Sequence, residues 1–174
     1  FDVDGDGNMD IIDNSYTTSW WENTTSAGSV YGWTETSVST SSSHNTASDV
    51  YATDIDGDGD IDALSSGQYD DKIAWYENNG SQSFTASTIT TGADYARSVF
   101  AIDVDRDGDM DLLSASEYDD KVAWYENNGA SDPSFTSRTI TSLADGASSV
   151  FAIDMDNDGD IDVLSASKND EDIN

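Results

Sequence analysis

The feature that most constrains this chain is an internal period of about 50 residues. A nine-residue acidic loop marks it four times, at Asp2–Asp10, Asp54–Asp62, Asp103–Asp111 and Asp154–Asp162, each reading D-x-D-x-D-G-x-x-D. The leading aspartates are 52, 49 and 51 residues apart. The likeness runs past the loops. Ser98-Val-Phe-Ala-Ile-Asp103 returns as Ser149-Val-Phe-Ala-Ile-Asp154, and Leu113-Ser-Ala-Ser116 as Leu164-Ser-Ala-Ser167. Tyr69–Gly80 returns as Tyr118–Gly129, and Phe84–Thr90 as Phe135–Thr141. Such a chain stacks one supersecondary unit on the next, and neighbours supply each other's core.

Each full unit holds four short segments rich in Val, Ile, Thr and aromatics, a strand composition. In the third unit they are Ser98–Val104, Met110–Ser116, Lys121–Glu126 and Phe135–Thr141. The acidic loop, a Tyr-Asp-Asp-Lys stretch and Asn-Asn-Gly supply the turns between them. No segment sustains a helical period. The expected fold is all-β, with propeller-type blades of four antiparallel strands and about three and a half repeats. The expected units are 1–50, lacking its first strand, 51–99, 100–150 and a partial 151–174. A count of three, four, four and two strands calls for a larger ring or an intermolecular assembly. Both faces of the first strand are apolar, with Val99 and Ala101 on one side and Phe100 and Ile102 on the other, as in a sheet covered twice. The small residues Ala52, Ala101 and Ala152 mark its crowded side, near the axis. Trp20, Trp75 and Trp124 recur at one position of the third strand and are expected in the core between blades.

The loops carry the chemistry. Carboxylates at positions one, three, five and nine crowd one point, which is unfavourable without a cation. Gly at position six allows a sharp backbone reversal, and the carbonyl of position seven can then face the ion. Oxygen donors without Cys or His select Ca²⁺ over zinc or copper. An EF-hand needs Glu at position twelve and flanking helices, whereas the chain has Asp13, Ser65, Ser114 and Ser165 there and strand-like flanks. The loops hold 19 of the 36 acidic residues, against 6 basic ones, for a formal net charge of −30. One Ca²⁺ per loop would leave about −22, still too acidic for nucleic acid or an anionic membrane. No apolar run is long enough to span a bilayer.

The four loops, the Phe-Ala-Ile-Asp strand at Phe100–Asp103 and Phe151–Asp154, and the Leu-Ser-Ala-Ser strand together resemble the FG-GAP/VCBS repeats of integrin-α-like β-propellers. That resemblance implies one Ca²⁺ in the hairpin between the first and second strands of each blade. It implies side-chain ligands Asp2, Asp4, Asp6 and Asp10; Asp54, Asp56, Asp58 and Asp62; Asp103, Asp105, Asp107 and Asp111; and Asp154, Asp156, Asp158 and Asp162. Backbone carbonyls of Asn8, Asp60, Asp109 and Asp160 would complete the sites. Family rings are often seven-bladed and extracellular. They serve as adhesion heads, lectin-like modules and ancillary domains of secreted polysaccharide enzymes.

For catalysis the residues offer little. His44 sits in a polar Ser/Thr link, without G-x-S-x-G or an apolar setting. The acidic pairs Asp70-Asp71 and Asp119-Asp120 recur at the period, and with the Asp170-Glu171-Asp172 run they suit a structural turn better than acid–base work. Trp21 and Trp33 read as departures from the repeat and are candidate glycan contacts. Asn23 and Asn79 lie in N-x-[ST] triplets, which mark candidate N-glycosylation. The chain begins at Phe1 and shows no signal peptide, which suggests a processed or excised piece. The expected function is a noncatalytic, secreted or cell-surface, calcium-binding module for adhesion, glycan binding or filament assembly. Its partners would be glycans, extracellular proteins or further copies of itself. The alternative is an ancillary propeller of a secreted polysaccharide lyase or hydrolase.

Overall fold

The repeat becomes a row of antiparallel sheets. A computed structural model describes residues 1–14, 17–25, 32–39 and 47–169. Among them are thirteen strands and no helix. The first sheet holds β1 (Ile11–Asn14), β2 (Thr18–Asn23) and β3 (Trp33–Ser37). The second holds β4 (Ala47–Thr53), β5 (Asp62–Gly67), β6 (Lys72–Asn78) and β7 (Phe84–Thr90). The third holds β8 (Ala96–Ile102), β9 (Asp111–Ser116), β10 (Lys121–Asn127) and β11 (Phe135–Thr141). The fourth holds β12 (Ala147–Ile153) and β13 (Asp162–Ser167). In every sheet the spatial order of strands is the chain order, as in a meander.

Strand ends differ from the sequence reading for one clear reason. The segment expected to run to Val104 stops at Ile102, because the Val104 N–H turns into the loop and donates to Asp111 Oδ2 at 3.1 Å. Each opening strand also carries a bulge at the same place, between Ala47 and Asp49, Ala96 and Ser98, and Ala147 and Ser149.

The core lies between sheets rather than within one. Val3, Trp20 and Val38 of the first unit pack on Ala63, Ala74 and Tyr76 of the second. Leu64, Ile73 and Trp75 of the second pack on Val99, Ala101 and Tyr125 of the third. Leu113, Ala115 and Val122 of the third pack on Ala147, Val150 and Ala152 of the fourth. The three recurring tryptophans therefore do face the next sheet, Trp20 and Trp75 fully buried and Trp124 partly so. The neighbouring tyrosines Tyr76 and Tyr125 face the preceding one, which is why both sides of the third strand are apolar. Ala52, Ala101 and Ala152 are all buried.

The opening strands lie side by side. Their aromatic rings continue a row that starts at Phe1, ahead of the first loop, with centroids 6.1 Å apart for Phe1 and Tyr51, 5.0 Å for Tyr51 and Phe100, and 4.8 Å for Phe100 and Phe151. Polar contacts cross the same seam. Ser98 Oγ and the Val99 N–H donate to Asp49 Oδ2, and the Val150 N–H donates to Ser98 Oγ. At the end opposite the acidic loops, Asp71 Oδ1 accepts the Tyr95 N–H and Asp120 Oδ1 the Gly146 N–H, each at 2.9 Å. Those carboxylates thus tie the linker between sheets to the preceding turn. His44 and the Asp170-Glu171-Asp172 run lie outside the described residues.

Candidate metal centre

The last three acidic loops join the first strand of a unit to the second, the first loop leads into β1, and each is folded by its own carboxylates. The position-one oxygen Oδ2 accepts the N–H of the position-six glycine, at 3.0 Å in the first three loops and 3.2 Å in the fourth. Position three accepts the N–H of position five, as in Asp58 to Asp56 Oδ1 at 3.2 Å. Position five accepts the N–H of position seven, as in Asp60 to Asp58 Oδ1 at 2.8 Å. These local bonds wind the backbone so that side-chain oxygens converge. The position-six glycines have φ between 90° and 104°, a region closed to most side chains.

Position four is left-handed as well, which the sequence reading missed. Gly5 and Gly57 take φ of 73° and 78° there, but Arg106 at 64° and Asn157 at 61° carry side chains through the same turn. The paired glycines of the first two loops were the available signal. Arg106 also reaches the next loop, its guanidinium 3.9 Å from Asp154 Oδ2.

Four groups of carboxylates could each hold a metal ion. They are Asp2, Asp4 and Asp6; Asp54, Asp56 and Asp58; Asp103, Asp105 and Asp111; and Asp154, Asp156 and Asp162, with one oxygen per residue lying within 4.8 Å of the others. Positions one and three join in every group, position five in the first two loops and position nine in the last two. Asp10, Asp62, Asp107 and Asp158 stand outside these groups. The position-seven side chains also stand outside. Those of Asp60 and Asp109 lean over Gly80 and Gly129, where an added Cβ would collide with them.

Position nine has a bracing role. Asp62 Oδ2 accepts the Ile55 N–H at 3.1 Å and Asp62 Oδ1 the Asn78 N–H at 2.8 Å. Asp10 and Asp111 repeat the pattern with Val3 and Asn23, and with Val104 and Asn127. This carboxylate therefore clamps the start of its loop to the end of the third strand.

The electrostatics favour a cation. The oxygens Asp2 Oδ1, Asp103 Oδ1 and Asp154 Oδ1 are shielded from solvent and accept no hydrogen bond. A buried carboxylate oxygen in that state is costly unless an ion meets it. Burial, with the neighbouring Asp58 and Asp54 charges, raises Asp56 above the usual carboxylate range. Burial and Asp107 raise Asp105. Burial also raises Glu22, with Asp4, Asp10 and Asp6 adding to it. Glu77 and Glu126 act in the same way on Asp56 and Asp105. This glutamate of the recurring Glu-Asn pair is an acidic neighbour that loop spacing alone did not reveal.

Asp62 is the extreme case. Burial pushes it from 3.8 up to about 7, against the Asn78 and Ile55 amides, which favour its ionised form. The metal-free fold therefore holds this proton more tightly than the unfolded chain does. The stability it contributes is complete below pH 3.8 and is lost as pH rises through about 7. Asp56, Asp105 and Asp111 shift the same way. In chelator, the urea midpoint should fall between about pH 5 and about pH 7.5, and a bound cation should remove most of that slope. A midpoint that rises over this range without metal would contradict the assignment.

The other candidate residues fall elsewhere. Trp21 stands in the register of Tyr76 and Tyr125, and Trp33, paired with Asn23, in that of Phe84 and Phe135. Trp33 is therefore an aromatic of the repeat and not a departure from it. Phe84 and Phe135 each pack on a preceding sheet, through Trp20 and Trp75. Trp21, Trp33 and Ile11 line a shallow cleft on the corresponding face of the first sheet. Asn23 spends its side-chain amide on the Met9 carbonyl at 3.3 Å, whereas Asn79 sits exposed in a turn.

Among the described residues no helix is long and apolar enough to cross a membrane. No curated protein shows significant similarity to the chain. The profile of the FG-GAP-like repeat matches residues 54–114 and again 103–165. The two matches together span more than half of the 174 residues. With its meander sheets and an acidic hairpin in every unit, the chain belongs to the FG-GAP-like repeat family, whose repeats are blades of β-propellers.

Proposed function

We propose that this chain is an extracellular, noncatalytic propeller segment whose blades are fastened by calcium. The observation that carries the reading is the fourfold convergence of hard oxygen donors in matched loops, three of them with a shielded, unbonded carboxylate oxygen. Positions one and three of each loop would hold the ion, with position five or nine completing the carboxylate set. The ion supplies positive charge and nothing else. The protein's residues do the rest: they orient the oxygens, keep the hairpin closed and hold the third strand against it through position nine.

A noncatalytic role is supported by the use made of the acidic pairs. Asp71 and Asp120 spend an oxygen on a backbone amide of the following linker, so they act as latches. For binding, the Trp21, Trp33 and Ile11 face favours a protein partner, either an extracellular protein or a further copy, because the same register positions pack on protein in the next two sheets. Glycans are the second ligand class. Losing binding to a glycan panel on Trp33→Ala would move the assignment to them.

Metal content tests the core of the proposal. Dialysed against millimolar free Ca²⁺, the protein should retain about one ion per loop. Asp103→Ala combined with Asp105→Ala should lower the count by one. A protein that retains no calcium would end the reading.

A further inference from the structure

Two buried asparagines join the loops of neighbouring sheets. Asn78 is 2 % exposed. Its side-chain amide donates to the Val3 carbonyl, second position of the first loop, at 3.3 Å. It also donates to the Ile61 carbonyl, eighth position of the second loop, at 3.1 Å. Asn127, 4 % exposed, repeats this one sheet further on. It reaches Ile55 O of the second loop at 3.3 Å and Met110 O of the third at 3.0 Å. The backbone N–H of each residue is bonded to the position-nine carboxylate of its own sheet. Each Oδ1 accepts the glycine N–H of the adjoining turn, from Gly80 or Gly129. Asn23 donates to the Met9 carbonyl of its own loop, and among the described residues it makes no second bridge to a neighbouring loop.

We infer that Asn78 and Asn127 are positioning residues that make calcium binding cooperative along the first three loops. This rests on the calcium reading above. A primary amide has two N–H groups, and here each asparagine places both on backbone carbonyls, one in each of two loops. Away from water, neither bond can be exchanged for solvent at low cost. Position two adjoins the ligand positions one and three, and position eight adjoins position nine, which is a ligand in the third loop and the bracing carboxylate in the second. An ion that orders one loop therefore fixes the amide, and the fixed amide holds a carbonyl of the next loop before its ion arrives. The second loop then loses less conformational freedom on binding, and affinity rises. The coupling is reciprocal, so removing the third site weakens the second.

The test reads the second loop alone, through the NMR resonance of the Gly59 amide, whose N–H donates to Asp54 Oδ2. Calcium is titrated into the full chain, with and without Asp103→Asn and Asp105→Asn to disable the third loop. In the wild-type background, disabling that loop should weaken calcium binding at the second by about 5- to 10-fold. In Asn127→Ala the same change should weaken it less than about twofold. Asn78→Ala, which cuts the link to the first loop instead, should leave the full effect of the third loop in place and so separates coupling from general destabilisation. A second loop indifferent to the third in the wild-type chain would overturn the inference, as would an equal loss in Asn127→Ala. In either case a shifting Gly59 resonance leaves the calcium reading standing. A Gly59 resonance that never moves in millimolar calcium would overturn both.

Discussion

Chelation should cost this protein most of its stability. If millimolar calcium exceeds each loop's Kd by 100-fold, each ion adds about 2.7 kcal/mol, and four add about 11 kcal/mol. Domains are typically stable by only about 5–15 kcal/mol, so the metal-free chain should lie close to unfolding at room temperature. For a chain of this length, about 11 kcal/mol corresponds to a melting shift of roughly 20–45 °C. The physical source is the crowd of unpaired anions. The four loops carry 19 acidic residues, and the glutamate before each clamping asparagine adds to the repulsion. Salt should recover part of the loss by screening exposed loop carboxylates, but little of the share owed to Asp62, which is fully buried. Melting curves in EDTA and in calcium that superimpose would show that the charge is tolerated without metal.

Trp75→Ala should be the most damaging single substitution in the core, at about 3–5 kcal/mol. Trp75 is 2 % exposed, packs between the second and third sheets, and meets Phe135 edge-on at 6.4 Å. In a stacked repeat the interface between units carries much of the stability, so a cavity there should also loosen the coupling between neighbours. The expected result in urea is a lower midpoint together with a smaller m-value, as the two halves begin to unfold separately. Trp33→Ala, at 44 % exposure, should change stability by less than about 0.5 kcal/mol and serves as the control. Equal effects from the two substitutions would mean that the inter-sheet core has been misplaced.

Much of this architecture was legible in the sequence because each unit states its local rules more than once. Alternating apolar residues on both faces of Ser98–Ile102 already imply a sheet covered twice, and Val99 and Phe100 indeed belong to two different cores. The position-six glycines announced the loop reversal. Legibility failed where the deciding contact is remote in the chain. The bond from Asn78 to Val3 spans 75 residues and that from Asn127 to Ile55 spans 72, so the bridging role of this asparagine exists only once sheets are packed. Trp33 was misread for a related reason. Its equivalence to Phe84 and Phe135 appears in strand register and not in residue type. The split role of position nine also needed the structure, since spacing gives a carboxylate but not the two amides it accepts.

The most direct measurement is an anomalous difference map from crystals grown in calcium, with diffraction data collected where calcium scatters anomalously. A peak should stand in each of the four acidic loops, ringed by the carboxylates of positions one and three. Ordered water and no anomalous signal in all four loops would contradict the calcium assignment.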